Sequence, residues 1–303
     1  MPNPAHEMSR RRGAATRVRP LIRPSWLSVN VWPFQTFAIE VNDTQIAFTD
    51  VGRHDAPAIL FVHTGTWSFI WRDVMLRLSA QFRCICFDAP GTGQSQRIAP
   101  ADIRLDKAAR TLTGIIEALD LDRITLVFHD LAGVSGIAGA GRVPDRVRAL
   151  CAVNTFAWKP TGAAFRGMLT LMGSTVITEL DARLHLLPRI TSTSFGAARN
   201  FDEPSRAAYL AGIGTQGLRS FHAYMRDAAY AESIYEEADR ALRGPFRSLP
   251  LVTVFGERND PLKFQPRWKE LFPHARQLVV ARGNHFPMCD DPGLVANAIR
   301  GLS

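Results

Sequence analysis

Residues 124–133, Ile-Thr-Leu-Val-Phe-His-Asp-Leu-Ala-Gly, constrain the fold more than any other part of the chain. The opening Ile124, Thr125, Leu126, Val127 and Phe128 read as a short strand covered on both faces, since apolar and polar residues do not alternate along it. The run ends in His129-Asp130 and passes at once into a helix start of small residues. A strand, a sharp turn and a helix in this order lift one side chain above a parallel sheet, and Asp130 stands where such elbows usually carry serine. Aspartate is also a common helix N-cap, so the position must be judged with its surroundings. No serine competes for it: Ser135, in Gly133-Val-Ser-Gly-Ile137, lacks the second glycine of a Gly-x-Ser-x-Gly elbow, and Ser95 is followed by Gln96-Arg97.

The residue type sets the chemistry. A carboxylate attacking an ester or amide would give a mixed anhydride, which is hard to control. Attack on a saturated carbon expels a leaving group and gives an alkyl ester on the protein, which water then cleaves. Asp130 therefore points to carbon–halogen bonds or the carbon–oxygen bonds of epoxides.

Eight apolar runs bounded by turn residues predict strands at 36–41, 45–51, 58–63, 82–88, 123–129, 149–154, 249–256 and 277–281. From the third onward they alternate with helical segments at 72–80, 105–119, 131–141, 265–271 and 292–299. Such alternation predicts an α/β fold with an eight-stranded, mostly parallel sheet and helices on both faces. Residues 157–242 carry helical periodicity without a strong strand and are expected to form an inserted helical cap, or lid. The expected organisation is a basic N-terminal extension at 1–33, a core at 34–156 and 243–303, and the cap between its two parts.

Open parallel sheets bind ligands beyond the carboxyl ends of their strands. Three polar residues are expected there in the order nucleophile, acid, histidine: Asp130 after the fifth strand, Asp260 in Phe255-Gly-Glu-Arg-Asn-Asp-Pro261, and His285 in Gly283-Asn-His-Phe-Pro287. His285 would activate water against the ester, and Asp260 would hold the imidazole tautomer and stabilise the imidazolium. Glu257 is the rival acid, and Asn154, at the end of the sixth strand, is not a carboxylate. The oxyanion formed during ester cleavage needs preorganised donors, expected from the amide of Leu131 and from Thr64 in the turn after the third strand.

Composition narrows the partners. The chain has 303 residues, is 46% hydrophobic and has no apolar run near the length of a membrane span. Its net charge of +8 is local: Arg10, Arg11, Arg12, Arg17, Arg19 and Arg23 against Glu7 supply five of those charges within the first 23 residues. The remainder lacks a basic face, so no nucleic-acid partner is expected. The basic tail is interrupted by Pro2, Pro4 and Pro20 and lacks the amphipathic helix of a transit peptide, and no apolar segment follows it as in a secretory signal. Cys84, Cys86, Cys151 and Cys289 fall in or beside core strands, so reduced thiols and a cytoplasmic location are expected. Cys84-x-Cys86 has no second pair, and no metal site is expected.

With these residues placed, the chain resembles the α/β-hydrolase superfamily over residues 25–303 and, within it, the haloalkane dehalogenases. The resemblance rests on Pro24-Ser-Trp-Leu27 with Trp32-Pro-Phe34, Thr66-Trp-Ser-Phe-Ile-Trp-Arg72, Asp88-Ala-Pro-Gly-Thr-Gly93, His129-Asp130, Asn154-Thr-Phe-Ala-Trp158 and the His285 loop. It implies the α/β-hydrolase fold, no cofactor and a small apolar substrate. The Gly91-x-Gly93 pair belongs to it and lacks the third glycine of a dinucleotide loop.

Two positions depart from the dehalogenase pattern, both on the leaving-group side. The family usually places Trp after the nucleophile, where its indole N–H cradles halide, and here that residue is Leu131. After the third strand it usually reads His-Gly-x-Pro, whereas His63-Thr-Gly-Thr66 is one residue short and has no proline. Trp158 and Trp67 are the candidate replacements for the indole donor. Epoxide hydrolases resemble the same fold and use lid tyrosines to donate to the ring oxygen. All four tyrosines, Tyr209, Tyr224, Tyr230 and Tyr235, fall in the inserted segment. A binding protein or non-hydrolytic catalyst on this fold is a further reading, since fold does not fix function. The sequence leaves monomer and homodimer open.

Overall fold

The computed structural model describes residues 18–302. Arg10, Arg11, Arg12 and Arg17 of the basic extension lie outside the described residues. Nine strands form one sheet among the described residues: β1 (Arg19–Pro20), β2 (Thr36–Val41), β3 (Thr44–Gly52), β4 (Ala58–Thr64), β5 (Arg83–Phe87), β6 (Ile124–Asp130), β7 (Val147–Thr155), β8 (Leu251–Gly256) and β9 (Arg276–Val280). Their order is β1-β2-β3-β5-β4-β6-β7-β8-β9. The pairs β1–β2, β2–β3 and β3–β5 are antiparallel, and the pairs from β5 to β9 are parallel. The ninth strand, absent from the sequence expectation, is the two-residue β1. It carries no pattern of its own and tolerates Pro20 because it is the sheet edge.

The unbroken apolar runs become two cores. Along β4, Leu60 and Val62 join the core on one face of the sheet, while Ile59 and Phe61 join the core on the other. Leu126 and Phe128 of β6 likewise lie opposite Val127. The side-chain period of two is intact, but both sets are buried. All four cysteines are free and sit in the second core. Burial there pushes the thiols of Cys84 and Cys151 up to about 12, which keeps them protonated and unreactive.

Helices α1 (Arg72–Leu78), α2 (Leu105–Ala118) and α3 (Ala132–Gly141) connect the strands up to β7. Between β7 and β8 run α4 (Ala163–Met172), α5 (Thr175–Leu184), α6 (Leu186–Thr191), α7 (Glu203–Ala228) and α8 (Glu232–Arg243), and α9 (Phe264–Leu271), α10 (Pro287–Asp290) and α11 (Pro292–Arg300) complete the chain. None of the described helices is long and apolar enough to cross a membrane. A buried polar group ties the inserted helices together. His222 of α7 bonds the Met172 carbonyl at 2.6 Å and Asp181 of α5 at 2.8 Å, and Asp181 also accepts from the Leu187 amide of α6 at 2.9 Å.

Candidate active site

The turn after β6 is built for close approach. Asp130 is in the left-handed region with φ 54°, a conformation that costs a non-glycine residue about 1 kcal/mol or more and that persists only when its surroundings hold it. The Thr155 hydroxyl of β7 donates to the Asp130 carbonyl at 2.6 Å. Gly133 lets α3 start against the end of β7, because a Cβ there would fall 2.1 Å from Thr155 Oγ1 and 2.2 Å from the Phe156 carbonyl. The Asp130 carboxylate is thereby presented with 18% of its side chain exposed.

His285 Nε2 stands 3.6 Å from Asp130 Oδ2. Burial pushes the Asp130 carboxyl up, but the nearby imidazole of His285 and the amide of Leu131 outweigh it, and the group sits below the usual aspartate range. It is ionised at neutral pH.

The partner of His285 differs from the expectation. Its Nδ1 faces Asn259 Oδ1 at 3.0 Å. Asp260, expected in that role, instead accepts from the amides of Phe264 and Gln265 at 2.7 and 3.0 Å. The reason lies in the helix that follows: Lys263 is left-handed with φ 57°, α9 begins at Phe264, and its free amides need an acceptor. The rival Glu257 accepts from the Arg282 amide at 2.6 Å. Asn154 accepts from the Gly256 amide at 2.9 Å and donates to Asn259 Oδ1 at 3.2 Å.

Beneath Asp130 runs a histidine chain. His129 Nε2 lies 2.8 Å from the His285 carbonyl, which can only accept, so that nitrogen carries the hydrogen. Burial, with the imidazole of His285 close by, drives the His129 imidazole well below its ordinary range and His63 down to about 3, so both rings are neutral. Neutral His129 must then accept on Nδ1 from His63 Nδ1–H at 3.1 Å, and His63 Nε2 accepts from the Thr66 hydroxyl at 2.6 Å. The Thr66 amide reaches the same nitrogen at 3.3 Å. In the sequence these histidines stand in separate motifs, and their alignment across β4 and β6, His63 beside His129, follows from the strand register.

Asp130, Leu131, His63, Thr66, Asn259 and His285 share a cavity of about 510 Å³, whose remaining wall is mainly apolar and includes Phe165, Met168, Leu169 and Phe221 from the inserted helices. Asp260 also lines it. The remaining expected donors lie elsewhere. Thr64 is level with Asp130 in the sheet, but its hydroxyl pairs with Ser135 at 3.1 Å and the residue does not line the cavity. The Trp67 indole donates to the Tyr209 carbonyl at 3.2 Å. Trp158 packs on Phe264 and Trp268, with Arg267 4.6 Å above its ring. Tyr224 and Tyr235 donate to the carbonyls of Pro90 and Ala228, and Tyr230 is 69% exposed. Tyr209 is buried and its hydroxyl makes no well-formed hydrogen bond. No tyrosine or tryptophan lines the cavity. Among the described residues no group of three or more His, Cys, Asp or Glu side chains forms a metal-ligand set.

The arrangement is a carboxylate and an imidazole facing each other in a mainly apolar cavity. The alpha/beta hydrolase fold model matches residues 57–292. Haloalkane dehalogenase 2 of Mycobacterium tuberculosis is 25% identical over 282 residues, covering 89% of this chain and 95% of that protein. A cis-3-alkyl-4-alkyloxetan-2-one decarboxylase of Shewanella oneidensis is 25% identical over 274 residues, covering 85% of each. The solved structure of the epoxide hydrolase CorEH superposes with a TM-score of 0.73 at 19% identity, covering 88% of this chain and 97% of that one. The chain belongs to the alpha/beta hydrolase fold family and is an enzyme of that family that resembles the haloalkane dehalogenases.

Proposed function

We propose that the Asp130 carboxylate attacks a saturated carbon of a small apolar substrate, displaces halide and forms an alkyl ester, which water then cleaves with His285 as general base. The observation that carries this reading is the ionised Asp130 facing His285 Nε2 at 3.6 Å in a mostly apolar cavity. In the first step the carboxylate oxygen bonds to carbon and the carbon–halogen pair leaves as halide. In the second, ester and water give the alcohol, the carboxylate and a proton. The apolar wall excludes water until the ester has formed.

A second reading is favoured by the leaving-group side. No indole or phenol lines the cavity, and the Thr66 hydroxyl is committed to His63. A strained-ring electrophile, an epoxide or an oxetan-2-one, keeps its leaving oxygen attached and depends less on a halide cradle. An epoxide would draw on the Thr66 hydroxyl, which can turn because the Thr66 amide also serves His63 Nε2.

The test is intact-protein mass of His285→Gln, which retains the nucleophile but lacks the base, after incubation with a short bromoalkane, an epoxide or an oxetan-2-one. An adduct at Asp130 equal to substrate minus bromide supports dehalogenation. An adduct of the whole molecule from a ring substrate moves the assignment to ring opening, and absence of any adduct refutes the covalent reading on these classes. Leu131→Trp, which places an indole donor beside Asp130, is expected to raise the burst rate of bromide release that accompanies ester formation about tenfold, the effect of one added hydrogen bond to an anion in a dry site. A halide-release assay on the two proteins checks it.

A further inference from the structure

The partner of His285 is fixed by a chain of amides. The Gly256 amide donates to Asn154 Oδ1 at 2.9 Å, so Asn154 Nδ2 lies on the opposite side. There it donates to the carbonyls of Asn284 and His285 at 2.8 and 3.0 Å and to Asn259 Oδ1 at 3.2 Å. Asn259 Oδ1 is therefore an acceptor, and its other lone pair meets His285 Nδ1 at 3.0 Å. A neutral imidazole with its hydrogen on Nδ1 leaves Nε2 bare, and Nε2 is the nitrogen that faces Asp130. Turning Asn259 over would set its NH2 against that of Asn154 and give His285 the opposite tautomer.

We infer that Asn259, aligned by Asn154, is the positioning residue of His285, and that this site runs on a neutral amide in place of an acid. The inference rests on the covalent reading above. An amide oxygen selects the tautomer but sets no negative charge beside the imidazolium. The titratable groups facing His285 are Asp130, His129 with ring centroids 4.7 Å apart, His63 behind it, and Asp260 along the cavity. Esterification removes the charge of Asp130, and Asp260 is engaged by α9. During hydrolysis a water O–H breaks and its proton goes to His285 Nε2 as the water oxygen bonds to the ester carbonyl carbon. The alkyl oxygen then departs with the imidazolium proton, and the freed Asp130 carboxyl loses its proton to solvent. Ester formation uses no proton transfer. Hydrolysis is consequently the slow step, and the alkyl ester accumulates.

The experiment is rapid-quench intact mass on the full chain with 1-bromobutane, comparing the parent protein, Asn259→Asp, Asn259→Leu and Asp260→Asn. In Asn259→Asp the ester is expected to form at an unchanged rate and to decay about tenfold faster, the gain of a charged over a neutral hydrogen bond. The acid limb of its decay profile should move to higher pH, because an added carboxylate favours the imidazolium. Asn259→Leu should slow decay at least tenfold, and Asp260→Asn should change decay little, since it keeps one of the two acceptor bonds to the α9 amides and leaves Asn259 on the imidazole. A tenfold loss in Asp260→Asn, or an unchanged rate and pH profile in Asn259→Asp, overturns the inference. If no protein forms an ester, dehalogenation of 1-bromobutane fails and the positioning role is judged separately by imidazole nitrogen-15 NMR, with His285 assigned by the signal lost in His285→Gln. Neutral His285 protonated on Nδ1, shifting toward Nε2 in Asn259→Leu, supports it; a parent protein protonated on Nε2 overturns it.

Discussion

Asp130→Asn is expected to abolish ester formation, lowering turnover of any substrate of this site by at least about 10³-fold, as loss of a covalent nucleophile does elsewhere. The carboxamide has nearly the same shape and is not a nucleophile toward saturated carbon. Asparagine also tolerates the left-handed backbone that residue 130 adopts, so the elbow should survive. The carbonyl that receives the Thr155 hydroxyl is unchanged, and so is the close packing at Gly133. Stability in urea should stay within about 1 kcal/mol of the parent, the range of a substitution that opens no cavity and strands no buried group. Product release and urea denaturation on the same preparation separate lost chemistry from lost fold. Slow recovery of activity on storage would itself be informative, because deamidation restores the carboxylate. Full activity at the outset would mean that water attacks substrate directly and that no alkyl ester lies on the path.

The elbow and the strands are legible because their signals are local. A strand buried on both faces needs an unbroken apolar run, and a helix pressed onto the next strand needs small residues, whatever the rest of the chain does. The seat beside His285 is different. Asn259 and Asp260 are neighbours in one turn, and which of them reaches the imidazole depends on where α9 begins and which side chain its free amides capture. A carboxylate is the better acid partner by type, and it is also the better helix cap. Here the cap takes it, leaving the amide for the histidine. The tyrosines show the same limit: clustering in sequence says nothing of helix face, and Tyr224 and Tyr235 spend their hydroxyls on backbone carbonyls away from the cavity. The His63–His129 pairing required the register of β4 against β6, a relation between segments more than sixty residues apart.

That pairing is expected to make the fold acid-labile. His63 is buried neutral and pushed down to about 3 from an ordinary value of 6.5, and His129 is lowered in the same direction for the same first reason, burial. Below pH 6.5 the unfolded chain binds protons at both rings that the folded chain refuses, so stability is full above that pH and falls as the pH drops toward the folded values. At pH 4.5 His63 alone is expected to have cost roughly 3 kcal/mol, about 1.4 kcal/mol for each unit below 6.5, and His129 adds to the loss. Asp88 and Asp290, whose burial raises them above 3.8, act in the opposite sense only as the pH enters the carboxylate range. Asp130, lowered from 3.8, contributes a loss below that range. Urea denaturation at pH 7 and pH 4.5 measures the difference directly. His63→Gln keeps an N–H for His129 without a titrating ring, so it should be less stable at pH 7 but should flatten the pH dependence by about half. A parent protein equally stable at both pH values would mean that the two rings take up protons without unfolding, and the tautomer chain through Thr66 would then have to be redrawn. Because His129 Nε2 holds the His285 carbonyl at 2.8 Å, the groups that refuse protons are the ones that seat His285, and loss of activity in acid should track loss of structure at this site.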